Sequence, residues 1–207
     1  ADLAAIRASG LTVTTIDMGA AATLTEAQVA TLIDNGLSFA ADDTITVTED
    51  AGSTHLSTSL KDLHKLGVDA VTVSGTSHLS IDMGDLTTAD LASGGPLPTF
   101  SSALNVTLDV TDVDQFAQAT DMASQLLAAN IDNVDMLVEA DGTGEYAPAF
   151  TALSEDVNFR TDIISMRDAG LHAGLDFGGK DVAASGADAA AIHRHRSSQR
   201  GHHGFAR

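Results

Sequence analysis

The chain has 207 residues, 43% of them hydrophobic, and a formal net charge of −19. This apolar content is sufficient for a folded core, which excludes global disorder, and the length allows one sizeable domain or a row of small repeat units. The negative charge argues against nucleic-acid binding by the main body, and the lack of cysteine excludes disulfides, thiolate metal sites and thiol catalysis.

Aromatic residues are scarce, with seven Phe, one Tyr and no Trp. The core is therefore predicted to consist of Ala, Leu, Val and Ile, which suits thin repeated layers. No run of about 18 apolar residues occurs, so we expect no membrane insertion. The first residue is Ala1 and not methionine, which indicates a processed chain or a fragment.

The predicted elements repeat one order along the chain: an amphipathic helix, an Asn or Gly stop, and a β-branched strand. The clearest copies are residues 25–36 with 37–49, 57–67 with 68–74, and 113–130 with 131–139. Strands are predicted to begin near Leu11, Thr44, Val68, Asn105, Ile131 and Asn158. Their spacing of about 24 to 37 residues is typical of repeat units.

Local signals support the helix boundaries. Three hydroxyl residues are followed three positions later by a residue that can complete a capping box: Thr25 with Gln28, Ser59 with Asp62, and Thr87 with Asp90. Gly67 is expected to supply the left-handed residue that ends a helix.

Two further patterns concern the organisation of the chain. The fragment Ile-Asp-Met-Gly occurs at residues 16–19 and again at 81–84 in similar contexts, which favours an internal duplication. Residues 93–98, Ser-Gly-Gly-Pro-Leu-Pro, interrupt the pattern and are interpreted as a linker or insertion.

Alternating helices and strands imply parallel strands joined by crossovers. The predicted fold class is α/β, with repeated helix-strand units that form either an open parallel sheet or an α/β solenoid. Residues 1–170 are predicted to be the repeat body. Residues 171–207 are predicted to be a flexible tail, first Gly/Ala-rich and then basic and His/Arg-rich.

The basic end has three open interpretations: a reading-frame artefact, a tail that binds polyanions or a cell wall, or an arm that contacts the acidic body of a neighbour. Its four histidines, His193, His195, His202 and His203, can capture Zn²⁺ or Ni²⁺ adventitiously, but the tail has no carboxylate to orient them. Within the body, His64 is expected to face solvent from a helix.

Calcium is the expected cofactor, because clustered oxygen side chains at loop edges suit hard cations. The candidate ligands form two groups, Asp109 with Asp112 and Asp114, and Asp141 with Thr143 and Glu145. Neither group matches the twelve-residue helix-loop-helix pattern, and the Gly-rich calcium nonapeptide is absent. No phosphate loop, nucleophile elbow or dinucleotide fingerprint is present, so no residue is predicted to be catalytic or to bind an organic cofactor.

Residues 60–73 and 126–136 share one sequence pattern. Each segment has a Leu- or Ala-rich helix, then Gly-Val-Asp or Asn-Ile-Asp, and then a strand. In this pattern the chain resembles degenerate α/β-repeat regions of large bacterial secreted and cell-surface proteins. The resemblance implies an adhesin-, matrix- or surface-layer-like role outside the cell, often with calcium.

We therefore expect an extracellular structural protein that acts by self-assembly into a filament, matrix or layer, or by adhesion, with copies of itself as partners. The competing expectation is a small soluble α/β enzyme or ligand-binding domain. Its site would lie at the carboxyl ends of the parallel strands, around Met18, Asp50, Ser74, Thr111 and Glu139.

Overall fold

The computed structural model describes residues 13–49, 52–138 and 155–176. Parallel strands alternate with helices, so the predicted α/β class is confirmed. The strands are β1 (Thr15–Ile16), β2 (Ala21–Thr25), β3 (Ser38–Phe39), β4 (Thr44–Glu49), β5 (His55–Leu56), β6 (Ala70–Val73), β7 (His78–Asp82), β8 (Thr99–Phe100), β9 (Asn105–Val110), β10 (Asn133–Leu137) and β11 (His172–Asp176). The helices are α1 (Glu26–Asp34), α2 (Leu60–Leu66), α3 (Thr88–Gly94), α4 (Val113–Asp121), α5 (Ala123–Ala128) and α6 (Val157–Ala169).

In both larger sheets the strands lie side by side in chain order. One sheet has the order β2-β4-β6-β8 and the other the order β5-β7-β9-β10-β11, while β1 pairs with β3 separately. All of these pairs are parallel. We call a unit the strands that lie between two helical segments, together with the helical segment that follows them. Each unit thus hydrogen-bonds along its strands to the unit before it.

The predicted capping residues begin their helices. Thr25 and Thr87 each form a complete capping box, with Gln28 and Asp90 respectively. The Ser59 hydroxyl accepts the backbone N–H of Asp62. Because each cap satisfies an otherwise free N–H group, the chain leaves the strand and enters the helix at a fixed residue.

Four helical segments end in the same hydrogen-bonded turn. In each, one residue has a positive φ, and the N–H of the residue after it donates to a carbonyl five positions earlier: Leu37 to Leu32, Val68 to Leu63, Ile131 to Leu126, and Leu171 to Met166. The positive-φ residues are Gly36, Gly67, Asn130 and Gly170. This pattern is the Schellman motif, which satisfies the last helical carbonyls and turns the chain toward the next strand.

A recurring aspartate joins neighbouring units just before a strand. Its carboxylate accepts backbone N–H groups of the preceding unit, in three places: Asp43 from Met18 and Gly19, Asp69 from Ile45, and Asp132 from Val106. The distances are 2.7 to 3.1 Å, and the partners are 24 to 26 residues apart in sequence. Asp69 and Asp132 are the aspartates of the Gly-Val-Asp and Asn-Ile-Asp sequences.

The core consists of the inward-facing side chains of both sheets and of the helices packed on them. Strand β9 illustrates the pattern, since Val106, Leu108 and Val110 are fully buried. Where α4 meets α6, the rings of Phe116 and Phe159 lie 4.7 Å apart at 51°. One continuous hydrophobic cluster therefore connects the units.

The predicted strand starts have mixed outcomes. Strands begin at Thr44 and Asn105 as predicted, whereas β6 and β10 begin two residues after Val68 and Ile131, because those N–H groups close the helix-ending turns. The strand predicted near Asn158 is wrong. That residue lies in α6, whose capping Asp156 accepts the N–H of Asn158. Leu11 lies outside the described residues.

Residues 93–98 are not a linker or insertion, because they form the end of α3 and the turn into β8. Leu97 is buried in the core, and the carbonyl of Pro96 contacts His64. The body boundary predicted at residue 170 falls just before β11, which pairs with β10. Residues 177–207 lie outside the described part of the chain.

Candidate functional site

The five-stranded sheet has one apolar side in the core and one polar side, which we call the polar face. Alternation along the strands produces this difference, as Leu79 and Ile81 of β7 are buried while His78, Ser80 and Asp82 are not. The polar face consists of His55, His78, Ser80, Asp82, Asn105, Thr107, Asp109, Asn133 and Asp135.

Parallel register places three aspartates side by side on this face. Asp82 pairs with Asp109, and Asp109 pairs with Asp135. Like charges directly opposite one another on neighbouring strands repel, so this row opposes folding unless protons or cations neutralise it.

His55 completes a compact group of donor atoms with two of these aspartates. Its Nε2 lies 3.9 Å from Asp82 Oδ2, and one ligand atom from each of His55, Asp82 and Asp109 lies within 4.8 Å of the others. The Nδ1 of His55 lies 3.0 Å from the Ser80 hydroxyl. The side chain of Ser80 also hydrogen-bonds to Asp109. In the described residues this is the one group of three or more metal-binding side chains.

Two aspartates of this row, Asp109 and Asp135, have raised pKa values. Burial raises the pKa of Asp109 to about 6, and the negative charges of Asp82 and Asp135 add to this, against the opposing effects of Ser80 and His55. Burial also raises the pKa of Asp135, with a further contribution from Asp176. Both carboxyl groups therefore hold protons more tightly than free aspartate does.

The structure separates the calcium ligands proposed from the sequence. Asp109 belongs to the group with His55 and Asp82, whereas Asp112 Oδ1 accepts the N–H of Gln115 at 2.8 Å and caps α4. Asp114 lies exposed in the first turn of that helix. Neither joins the group around His55. Calcium binding at these positions stays a prediction.

The other proposed calcium ligands, Asp141, Thr143 and Glu145, lie outside the described residues. Calcium binding there also stays a prediction.

Sequence reasoning missed His55 and Asp82 as partners of Asp109. The three residues are spread over three strands, and only the register of the parallel pairs brings them together. One sequence pattern could have identified Asp82. Polar and apolar residues alternate in His-Leu-Ser-Ile-Asp at 78–82, and this alternation places Asp82 on the polar face.

His64 does not face solvent as expected, since its residue is 4% exposed. Its Nδ1 lies 3.2 Å from the carbonyl of Pro96 and its Nε2 lies 3.3 Å from that of Asp90. The ring therefore ties α2 to α3 and to the turn before β8. It lines a cavity of about 430 Å³ that is also lined by Lys61, Lys65, Asp43 and Asp69.

The polar groups of this cavity take part in the fold. Asp43 and Asp69 accept backbone N–H groups of the preceding unit, and Lys61 Nζ donates to the carbonyl of Asp85 at 2.7 Å. The cavity lies at the amino ends of β4, β6 and β8, because its lining residues immediately precede those strands. The sequence-based expectation for a ligand site was the opposite, carboxyl end.

No helix in the described part of the chain is both long and apolar enough to cross a membrane. Comparisons with protein-family models, with curated proteins and with solved structures gave no match to this chain.

Proposed function

We propose that this chain is a structural repeat protein that acts by self-association, forming filaments, a matrix or a layer at a bacterial cell surface. The observation that supports this most strongly is the strand order. In both larger sheets every strand pairs in parallel with its counterpart from the neighbouring unit, in chain order. A stack of this kind grows by adding further strands at its edges, and a second copy of the chain carries the matching edge.

The edge strand β11 supplies the surface for this association. In the described residues it pairs only with β10. The N–H of His172 donates to Asp132, and the carbonyl of Asp176 accepts from Val138, so the backbone of these alternate residues faces β10. The N–H groups of Ala173 and Leu175 therefore point away from β10, where a strand of a second copy can accept them.

The extracellular location and an adhesive role rest on the sequence resemblance to bacterial surface proteins. Calcium support rests on the same resemblance and on the acidic loop segments. The assembly experiment addresses the calcium support by comparing calcium with a chelator.

The experiment is sedimentation velocity with electron microscopy of the full chain, of Ala173→Pro and of the matched control Ala173→Val. Proline removes the outward N–H without disturbing the pairs that His172 makes with β10, whereas valine keeps it and suits a strand. We expect concentration-dependent oligomers or filaments for the parent and Ala173→Val, and loss of them in Ala173→Pro. A monomeric parent at every concentration, with calcium and with chelator, would contradict the proposal.

The cavity of about 430 Å³ favours a second candidate, a ligand-binding domain or enzyme. Two observations weigh against it. The strand order does not reverse in either larger sheet of the described residues, so these sheets lack the switch point at which parallel α/β folds bind ligands. The aspartates of the cavity also hold neighbouring units together. A persistent monomer in the assembly experiment would support this candidate instead.

A further inference from the structure

We propose that His55, Asp82 and Asp109 bind a divalent transition ion with the ligand preference of Zn²⁺. This site is independent of self-association, since all three residues belong to one chain. It shares Asp109 with one of the calcium sites expected from the sequence, but its other ligands, His55 and Asp82, and its metal are different.

The three side chains meet because their strands are neighbours in the sheet. His55 on β5 pairs with Ser80 on β7, and Asp82 at the end of β7 pairs with Asp109 on β9. Their ligand atoms already lie within 4.8 Å of one another. Tetrahedral coordination with Zn–N and Zn–O distances near 2.1 Å requires separations of about 3.4 Å between ligand atoms. The side chains of His55 and Asp82 are about half exposed, so small rotations can supply this contraction.

The two nitrogens of His55 have different neighbours, since Nδ1 contacts Ser80 and Nε2 lies nearer Asp82. When Asp109 is ionised and Ser80 donates its single hydroxyl hydrogen to that carboxylate, the Ser80 oxygen accepts at its 3.0 Å contact with His55. This arrangement requires the imidazole proton on Nδ1. Nε2 is then the nitrogen free to bind a metal, and it lies 3.9 Å from Asp82 Oδ2. A second-sphere hydrogen bond of this kind orients histidine ligands in metal sites.

The donor set selects the class of ion. Calcium and magnesium are bound through oxygen, whereas an imidazole nitrogen with two carboxylates suits zinc and its neighbours in the first transition series. The two carboxylates contribute two negative charges, and a divalent cation neutralises them where they otherwise repel each other across the strands. Three protein ligands leave one tetrahedral position for water or an external ligand.

The test uses the full chain with His193, His195, His202 and His203 replaced by Gln, so that the histidines of the basic end do not contribute. Calorimetric titration with Zn²⁺ is then expected to show one bound ion per chain. Further substitutions in this background are His55→Ala, Asp109→Asn and Ser80→Ala, with His78→Ala and Asp114→Asn as matched controls from the exposed surface.

We expect Ser80→Ala to weaken zinc affinity by about 10- to 100-fold, and the two ligand substitutions to weaken it more. The controls should leave the affinity within about twofold of the parent, a difference of less than ~0.5 kcal/mol. Ca²⁺ should bind far more weakly than Zn²⁺. Unchanged zinc affinity in His55→Ala or Asp109→Asn, or loss of binding in His78→Ala, would overturn the proposal.

A measurement on the unsubstituted cluster keeps the proposal testable if a variant fails to fold. In long-range ¹H–¹⁵N spectra, Zn²⁺ should shift Nε2 of His55 and leave its Nδ1 protonated. Zinc-induced shifts at His78 or His172 without a shift at His55 would contradict it. Failure of self-association leaves both readouts unaffected, so the two proposals fail separately.

Discussion

At the scale of single residues, aspartates have two different roles in this fold. Asp43, Asp69 and Asp132 accept backbone N–H groups of the unit before them, whereas Asp82, Asp109 and Asp135 crowd together on the polar face. The first group stabilises the stack through charge-assisted hydrogen bonds. The second group costs stability until a proton or a cation neutralises it.

Asp43 and its neighbour Asp42 offer a matched test of the first role. The carboxylate of buried Asp43 accepts from the N–H groups of Met18 and Gly19, and that of exposed Asp42 does not take part in these bonds. We expect Asp43→Ala to lower the free energy of unfolding by about 2 to 3 kcal/mol, because two backbone donors lose a charged acceptor. Asp42→Ala should change it by less than about 0.5 kcal/mol. Urea denaturation measures both, and equal effects would refute the assigned role.

Asp109 offers a test of the second role in metal-free protein with chelator. Its folded pKa, about 6, is above that of a free aspartate, so the folded state binds the extra proton and stability falls as pH rises through that window. Partial exposure reduces the effect to about 1 kcal/mol. Asp109→Asn should therefore gain about 1 kcal/mol relative to the parent between about pH 4 and pH 7. Urea denaturation at both pH values measures the gain, and a constant difference would contradict the assignment.

Sequence patterns predicted the residue roles that depend on near neighbours. Thr25, Ser59 and Thr87 cap helices three residues away, and Gly67 adopts the expected left-handed conformation. The contacts of Asp69 and of His64 were missed because their partners lie 24 to 32 residues away, in other units. Such contacts depend on strand register, which the composition of one segment does not determine.

At the scale of elements, the helix-ending turn is the local structure that recurs from unit to unit. At four helical segments it ends the helix at a fixed residue and directs the chain toward the next strand. At three of these turns the left-handed residue is glycine, and in the fourth it is Asn130, with φ 60°. The Asn130 side chain compensates by donating from Nδ2 to the carbonyl of Phe100 at 2.7 Å.

Two substitutions at Asn130 test this turn. Asn130→Ala loses the hydrogen bond and pays the cost of a left-handed non-glycine residue, for a total destabilisation of about 2 kcal/mol. Asn130→Gly loses the bond but relieves the backbone strain, so it should cost less than about 1 kcal/mol. Glycine is thus expected to be the better replacement, the reverse of its usual rank within helices. Thermal unfolding provides the ranking, and a more stable Asn130→Ala would contradict it.

The elements predicted best from sequence were helices that end in an Asn or Gly stop. The helices over residues 57–67 and 113–130 exist, although the second is divided into α4 and α5 at Met122. The strand predicted near Asn158 is wrong because Asp156 caps a helix that begins there. The two-residue strand β5 carries His55, and it is too short for periodicity to reveal.

At the scale of the whole molecule, strand order is the property on which the proposals depend. Self-association requires stacked parallel strands with pairing edges. The zinc site requires β5, β7 and β9 to be neighbours in the observed register. Alternating helices and strands predicted the parallel class, but they left open whether successive strands enter one sheet or two. In the described chain the strands from β4 to β9 alternate between the two larger sheets, and β10 and β11 then extend the five-stranded one.

Disulfide cross-linking tests this register most directly, because the chain has no cysteine of its own. His78 on β7 and Asn105 on β9 are paired and exposed, outside the zinc ligands. Paired Cα atoms lie about 5 Å apart in such a sheet, within the range of a disulfide, while a shift of two residues separates them by about 8 Å. We predict rapid intramolecular cross-linking in the variant carrying His78→Cys with Asn105→Cys, and none with His78→Cys and Thr107→Cys. The reverse result would contradict the stacking of units in chain order.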